Sequence, residues 1–289
     1  MRIRYTACLC VCALLAACSA KAPQEPAVAR AAVSLSTARV PLGSPMELKY
    51  KFTVSPQGGK IDGDYRVFAH FVEAGSREMM WGDDHYPPIP TSQWKPGQVI
   101  EYSRTMFAPV YPYVGQARLE IGLYSAKGRR LTIDGGVDRG HQSFEVAKLE
   151  LLPQTENIFL IYKEGWHPTE VAPDSASSEW QWTKKDAVLA FRNPKRDVLF
   201  YLQLDRPATA AGAPTVTVTS GDQVVDTFVA DGEIMRKVPL TAAQLGSGDM
   251  VELKISVDKT FVPSLLPASN SHDSRELGVR VFHAFVAPR

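Results

Sequence analysis

The chain of 289 residues carries 32 Lys and Arg against 31 Asp and Glu. Near-neutrality removes the electrostatic case for binding nucleic acid, and the length suits two ordinary domains, each burying its own core. All four cysteines (Cys8, Cys10, Cys12 and Cys18) precede residue 19, so the body has no internal disulfide, no thiolate nucleophile and no cysteine-ligated metal.

Arg2 and Arg4 precede an uncharged run from Thr6 to Ala17. A basic start, a short apolar run and small residues before a cut site read as a signal peptide over residues 1–17. The run is too short to span a bilayer, which takes ~20 apolar residues. Leu15-Ala16-Ala17-Cys18 resembles a bacterial lipobox. That resemblance implies lipidation at Cys18, cleavage before it and attachment to the membrane by acyl chains such as palmitate. It places the chain in the bacterial cell envelope, and Ser19 after the lipidated cysteine favours the outer membrane, facing the periplasm. Residues 18–32, rich in Ala and Pro, read as a flexible tether.

Beyond the tether the pattern has a period of two, which in a strand sorts side chains to opposite faces. Met46, Leu48, Tyr50, Phe52 and Val54 alternate with Glu47, Lys49, Lys51 and Thr53. Residues 66–73 are apolar on both faces. Residues 116–125 alternate again, with Ala117, Leu119, Ile121 and Leu123 inward. Strands are also expected at 197–205, 214–220, 223–230, 250–258 and 278–286. Thr241 and Gln244 stand at capping-box spacing and start the one expected helical turn. Many short strands separated by Gly-rich turns predict an all-β chain of two consecutive Ig-like or jelly-roll-like β-sandwiches. Their expected spans are 33–153 and 154–289, divided near Pro153-Gln154-Thr155.

Two stretches invite chemistry. The first, residues 81–97, contains Trp81, Asp83, Asp84, His85 and Trp94 among prolines and glycines. Its carboxylates and imidazole, with His70, are metal-ligand types, but the spacing matches no ligand motif. The alternative is a proline-stiffened loop whose Trp81 and Trp94 cap the sandwich. The second contains Trp166, His167 and Glu170, then Trp180 and Trp182, and much later Asp273 and Arg275. Aromatic faces suit stacking on sugar rings as well as core packing. Arg275 beside two acids favours an ion-paired clamp of Glu170, Asp273 and Arg275 over catalysis, because a general acid needs a raised pKa and an adjacent cation lowers it.

Val67-Phe68-Ala69-His70-Phe71, Asp84-His85-Tyr86-Pro87-Pro88, Thr91-Ser92-Gln93-Trp94, Gly122-Leu123-Tyr124 and Arg130-Leu131 occur in that order. Together they resemble an extracytoplasmic β-sandwich module of bacterial envelope proteins, similar to modules appended to membrane glycosyltransferases. Gly165-Trp166, Glu170, Trp182-Thr183, Phe261 with Pro263, and Asp273-Ser274-Arg275-Glu276-Leu277-Gly278 resemble a second sandwich domain found in glycan-assembly proteins. Both resemblances imply fold and setting, and neither implies catalytic residues.

The chain has no Gly-x-Ser-x-Gly elbow, no phosphate-cradling loop and no His-Glu-x-x-His. The expectation is a non-catalytic, lipid-anchored accessory protein that binds envelope glycan or a glycan-assembly partner, with no cofactor and no metal. Its candidate ligand-binding residues are Trp81, Asp84, His85, Trp94, Trp166, His167 and Glu170. The alternatives are an enzyme acting on envelope polysaccharide through Glu170, Asp273 or Asp84, and a structural adaptor using sheet edges.

Overall fold

The computed structural model describes residues 25–59, 61–172, 175–207, 212–267 and 270–289. The expected signal peptide and Cys18 therefore lie outside the described residues. Among those residues, no helix is long and apolar enough to cross a membrane. The chain is all-β and forms two sandwiches.

The first sandwich contains β1 (Ala29–Leu35), β2 (Arg39–Pro41), β3 (Pro45–Val54), β4 (Arg66–Glu73), β5 (Met79–Gly82), β6 (Val99–Phe107), β7 (Gly115–Tyr124), β8 (Arg130–Leu131), β9 (Ile133–Asp134), β10 (Val137–Gly140) and β11 (Ser143–Leu152). One sheet runs in the order β6-β3-β1-β9 and the other β10-β11-β7-β4-β5, with β2 against β11 and β8 against β7. The alternation along β3 has the expected consequence: Met46, Leu48, Tyr50, Phe52 and Val54 are all buried. They meet Val67, Ala69 and Phe71 of β4 and Leu119, Ile121 and Leu123 of β7 in one core. Because β1 starts at Ala29 and pairs with β3 along its whole length, residues 29–32 belong to the sandwich and not to the tether.

The second sandwich contains β12 (Leu160–Tyr162), β13 (Glu170–Ala172), β14 (Ser175–Trp182), β15 (Asp186–Arg192), β16 (Val198–Asp205), β17 (Thr215–Ser220), β18 (Gln223–Val229), β19 (Ile234–Leu240), α1 (Ala242–Leu245), β20 (Met250–Val257) and β21 (Arg280–Pro288). Its sheets run β12-β15-β20-β17-β18 and β13-β14-β21-β16-β19. The capping box at Thr241 is present: its hydroxyl accepts from Gln244 N, and the Gln244 side chain accepts from Thr241 N.

No strand of one sandwich pairs with a strand of the other among the described residues. They touch through side chains. Phe107, at the end of β6, stacks on His283 of β21 with ring centroids 4.3 Å apart. Its edges meet Tyr201 and Phe285. Lys237 of β19 lies 2.8 Å from Glu47 of β3.

Candidate functional site

The stretch from Trp81 to Trp94 sends Trp81, His85, Thr91 and Trp94 inward and leaves Asp84 and Tyr86 exposed. Trp81 stacks on Phe71 at 4.8 Å, and Trp94 leans on Phe52 at 5.2 Å while donating its indole N–H to Ile89 O. Both indoles are buried, which corrects their reading as ligand contacts: in an antiparallel sandwich the large apolar faces go inward. His85 is buried as well. Its Nδ1 faces two acceptors, Asp83 O at 3.0 Å and Asp83 Oδ2 at 3.4 Å, so Nδ1 carries the proton and Nε2 accepts from Tyr102 O–H at 2.8 Å. Asp83 takes two parallel bonds of 2.7 Å from Arg104. Burial alone pushes the Asp83 carboxyl up, but the hydrogen bonds from His85 and Arg104 outweigh it and hold it far below the usual carboxylate range. Asp84 accepts from Tyr124 O–H at 2.9 Å and sits 3.3 Å from His70 Nε2. No group of three or more His, Cys, Asp or Glu able to hold a metal ion occurs among the described residues.

In the second sandwich Arg275 does meet both acids. It donates to Asp273 at 2.7 and 3.0 Å, and its Nη2 lies 2.7 Å from Glu170 Oε1. Glu170 Oε2 accepts the Trp180 indole N–H at 3.1 Å. Hydrogen bonds from Arg275 hold the Asp273 carboxyl below its ordinary value, the opposite of what a general acid needs. Trp166 gives its N–H to Val188 O, and His167 Nε2 lies 2.8 Å from Glu276 O. Trp180 is covered by the Arg280 guanidinium at 5.0 Å, and Trp182 is buried against Phe261. Glu170, Asp273 and Arg275 thus come together, and the tryptophans spend their faces or N–H groups on the protein itself.

A different site opens on the outer face of the β4-β7-β11 sheet. It is a cleft of about 840 Å³, and a second hollow of about 450 Å³ adjoins it across Arg130 and His141. Alternation places His70 and Val72 of β4 and Arg118 and Glu120 of β7 on this floor, opposite each other in the ladder: His70 with Glu120, Val72 with Arg118. The turn between β4 and β5 forms one wall, with Arg77 and Met79. The β10–β11 hairpin forms the other, with Asp138, Arg139 and His141.

Charge is compensated with care here. Glu120 stands directly opposite Glu145 across β7 and β11, an arrangement that destabilises a sheet when unpaired. Each carboxylate has its own arginine. Arg118 Nε reaches Glu120 at 2.6 Å, with Ser143 O–H on the second oxygen at 2.7 Å. Arg139 Nε bonds Glu145 at 2.9 Å, with its Nη2 also in contact. Arg118 further donates to the carbonyls of Glu73, Ala74 and Ser76, which fixes the near wall. Burial pushes the His70 imidazole below its ordinary value, so it is neutral at pH 7.

The far wall is strained. His141 and Gln142 form a two-residue hairpin loop with φ of 53° and 51°. That is a turn with two left-handed residues, which normally calls for Asn-Gly; non-glycine residues there cost of order 1 kcal/mol or more, and such strain gathers at functional sites. Two contacts hold the loop. Arg130 Nη1 donates to His141 O at 2.8 Å. Gln142 O packs over Gly122, where a Cβ would lie 2.6 Å from that oxygen and 2.4 Å from the Phe68 ring. Phe68 fills the space above Gly122 and carries the Arg130 guanidinium 4.6 Å over its face. Sequence reasoning missed Arg118, Glu120, Arg139 and His141. Strand alternation sets Arg118 and Glu120 side by side on β7, but the hairpin that carries Arg139 and His141 over them turns at His-Gln, which gives no turn signal.

Fold and cleft define an all-β protein of two sandwiches with a polar groove on one outer sheet face. No family model matches the chain, and no curated relative matches it. Among solved structures it is similar to SGBP-B from a complex xyloglucan utilization locus in Bacteroides uniformis (9% identity, TM-score 0.35, covering 91% of this chain and 74% of that one). It is also similar to the secreted serine protease VesC from Vibrio cholerae (10% identity, TM-score 0.26, 89% and 51%). A third likeness is to a family GH115 4-O-methyl-α-glucuronidase with specificity for decorated arabinogalactans (13% identity, TM-score 0.30, 46% and 18%). The chain therefore spans about half of the protease and under a fifth of the glucuronidase. Likeness at these scores carries no argument about function.

Proposed function

We propose that this is a non-catalytic accessory protein of the bacterial cell envelope, held to the membrane through lipid on Cys18, which binds glycan in the cleft above β4, β7 and β11. The observation that supports this reading is the cleft itself. It is open and lined mainly by polar groups above the sheet, and Glu120 on its floor is tied to Arg118 and Ser143. A shallow groove of fixed hydrogen-bonding groups suits a chain of hydroxylated rings. The clamp at Arg275 supports the non-catalytic half of the reading, because it commits both Glu170 and Asp273 to an ion pair with Arg275.

Affinity electrophoresis of the full-length protein through gels containing isolated envelope polysaccharide tests the proposal. Retardation that is weakened by substitutions in the cleft, and not by Arg275→Ala, is the expected result. Migration unaffected by any polysaccharide would remove it. A second reading has its own observation: β12 is an edge strand that exposes Ile161 and follows exposed Phe159, as an adaptor that pairs with other proteins through a sheet edge would require.

A further inference from the structure

The balance of donors and acceptors in the cleft names its ligand more closely. Four arginines line it, against the carboxylates of Glu120 and Asp138. Glu120 has Arg118 on one oxygen and Ser143 on the other. Glu145, just behind, is occupied by Arg139. Asp138 turns one oxygen back to Gly140 N. The acceptors are thus largely committed within the protein.

The donors are not. Arg77 is exposed on the near wall and has no hydrogen bond or ion pair among the described residues. Arg130 spends Nη1 on His141 O and keeps the rest of its guanidinium toward the saddle between the two hollows. A neutral sugar hydroxyl both donates and accepts, so a site for neutral glycan needs free acceptors as well as donors. A donor-rich, acceptor-poor groove calls for a ligand whose own groups mainly accept, and guanidinium forks match carboxylates in plane and spacing. The two hollows share Arg130 and His141 in their linings, and their combined extent suits a chain of several units more than a single small anion.

We infer that the cleft selects an acidic polysaccharide, one bearing carboxylates along its chain, with Arg77 and Arg130 meeting successive acid groups. This rests on the glycan-binding reading above and narrows it.

The test compares polygalacturonic acid with its methyl ester, which has the same backbone without the charge, by affinity electrophoresis of the full-length protein. Isolated neutral envelope polysaccharide and double-stranded DNA serve as further lanes. The expected result is a dissociation constant for the acid about tenfold below that for the ester, equal to ~1.4 kcal/mol. Arg77→Ala should remove most of that preference, and Arg77→Lys should restore part of it. Arg77 has no partner, so neither variant disturbs the fold, and unchanged melting curves check this. Equal binding of acid and ester, or an acid preference untouched by Arg77→Ala and Arg130→Gln alike, overturns the inference. Binding of neutral polysaccharide alone overturns it and leaves the glycan-binding reading standing. Binding of none of the polysaccharides overturns both. DNA bound as tightly as the acid and released by Arg77→Ala overturns it in favour of a phosphate polymer.

Discussion

Substituting Asp83→Asn isolates the polar network that joins the two sheets of the first sandwich. The carboxylate takes two bonds of 2.7 Å from Arg104 and stands 3.4 Å from His85 Nδ1. Its side chain is 11% exposed and that of His85 5%, while Arg104 is 40% exposed. An amide in its place can accept one of the arginine bonds but points an NH₂ at the other donor. Breaking a fully buried pair costs about 3–5 kcal/mol. Arg104 reaches water, and one bond survives, so the loss here is about 2 kcal/mol. For a unit of this size that lowers the melting temperature of the first sandwich by roughly 8 °C. The pH dependence has a definite sign. The folded carboxyl titrates below its unfolded value, so its contribution is full above about pH 4 and is lost as pH falls through that value toward the folded one. Thermal melts of both proteins from pH 7 down to about pH 2.5 should therefore show a gap that narrows with acid. A variant melting within about 1 °C of the parent at pH 7, or a gap as wide at the acid end as at neutrality, would refute the reasoning.

Arg275→Ala should cost the second sandwich about 1–2 kcal/mol and no more, because Arg275, Glu170 and Asp273 are 37%, 32% and 24% exposed; Glu170→Gln should cost less, whereas an enzyme would keep its melt and lose release of glycan fragments. Replacing His141-Gln142 by Asn-Gly should raise the melting temperature by several degrees, since Asn and Gly take left-handed backbone without strain, while glycan binding weakens; a gain of both would show that the strain serves nothing. Cys18→Ser should abolish incorporation of labelled fatty acid, and equal label in mutant and parent would remove the lipid anchor from the account.

Local physics was legible in the sequence. The alternation of β3 and the capping box at Thr241 both report interactions within a few residues. The start of β1 was not legible, because Ala29, Ala31 and Ala32 carry too little apolar contrast to show a period and continue the Ala-rich composition of residues 18–28. The outer face of β7 was misleading in an instructive way. Arg118, Glu120 and Tyr124 alternate with apolar residues as a solvated face does, yet Arg118 and Glu120 are buried. Burial comes from elements distant in sequence, the turn after β4 and the β10–β11 hairpin, and no period along β7 reports them. The aromatic stretch from Trp81 to Trp94 drew attention as a site for the converse reason: composition marks large rings, while only the fold shows that Phe71 and Phe52 have claimed them. At Glu170 and Arg275 the residue types alone pointed to an ion pair, but not to its exposure, which sets its strength.

Hydrogen exchange of the full-length protein with and without isolated envelope polysaccharide tests the central claim most directly, because it locates the bound surface without assuming any residue. Added slowing of exchange in β4, β7 and the hairpin of β10 and β11, with the second sandwich unchanged, is the predicted result. Slowing confined to the stretch around Trp166, Glu170 and Trp180, or to the edge strand β12, would contradict it.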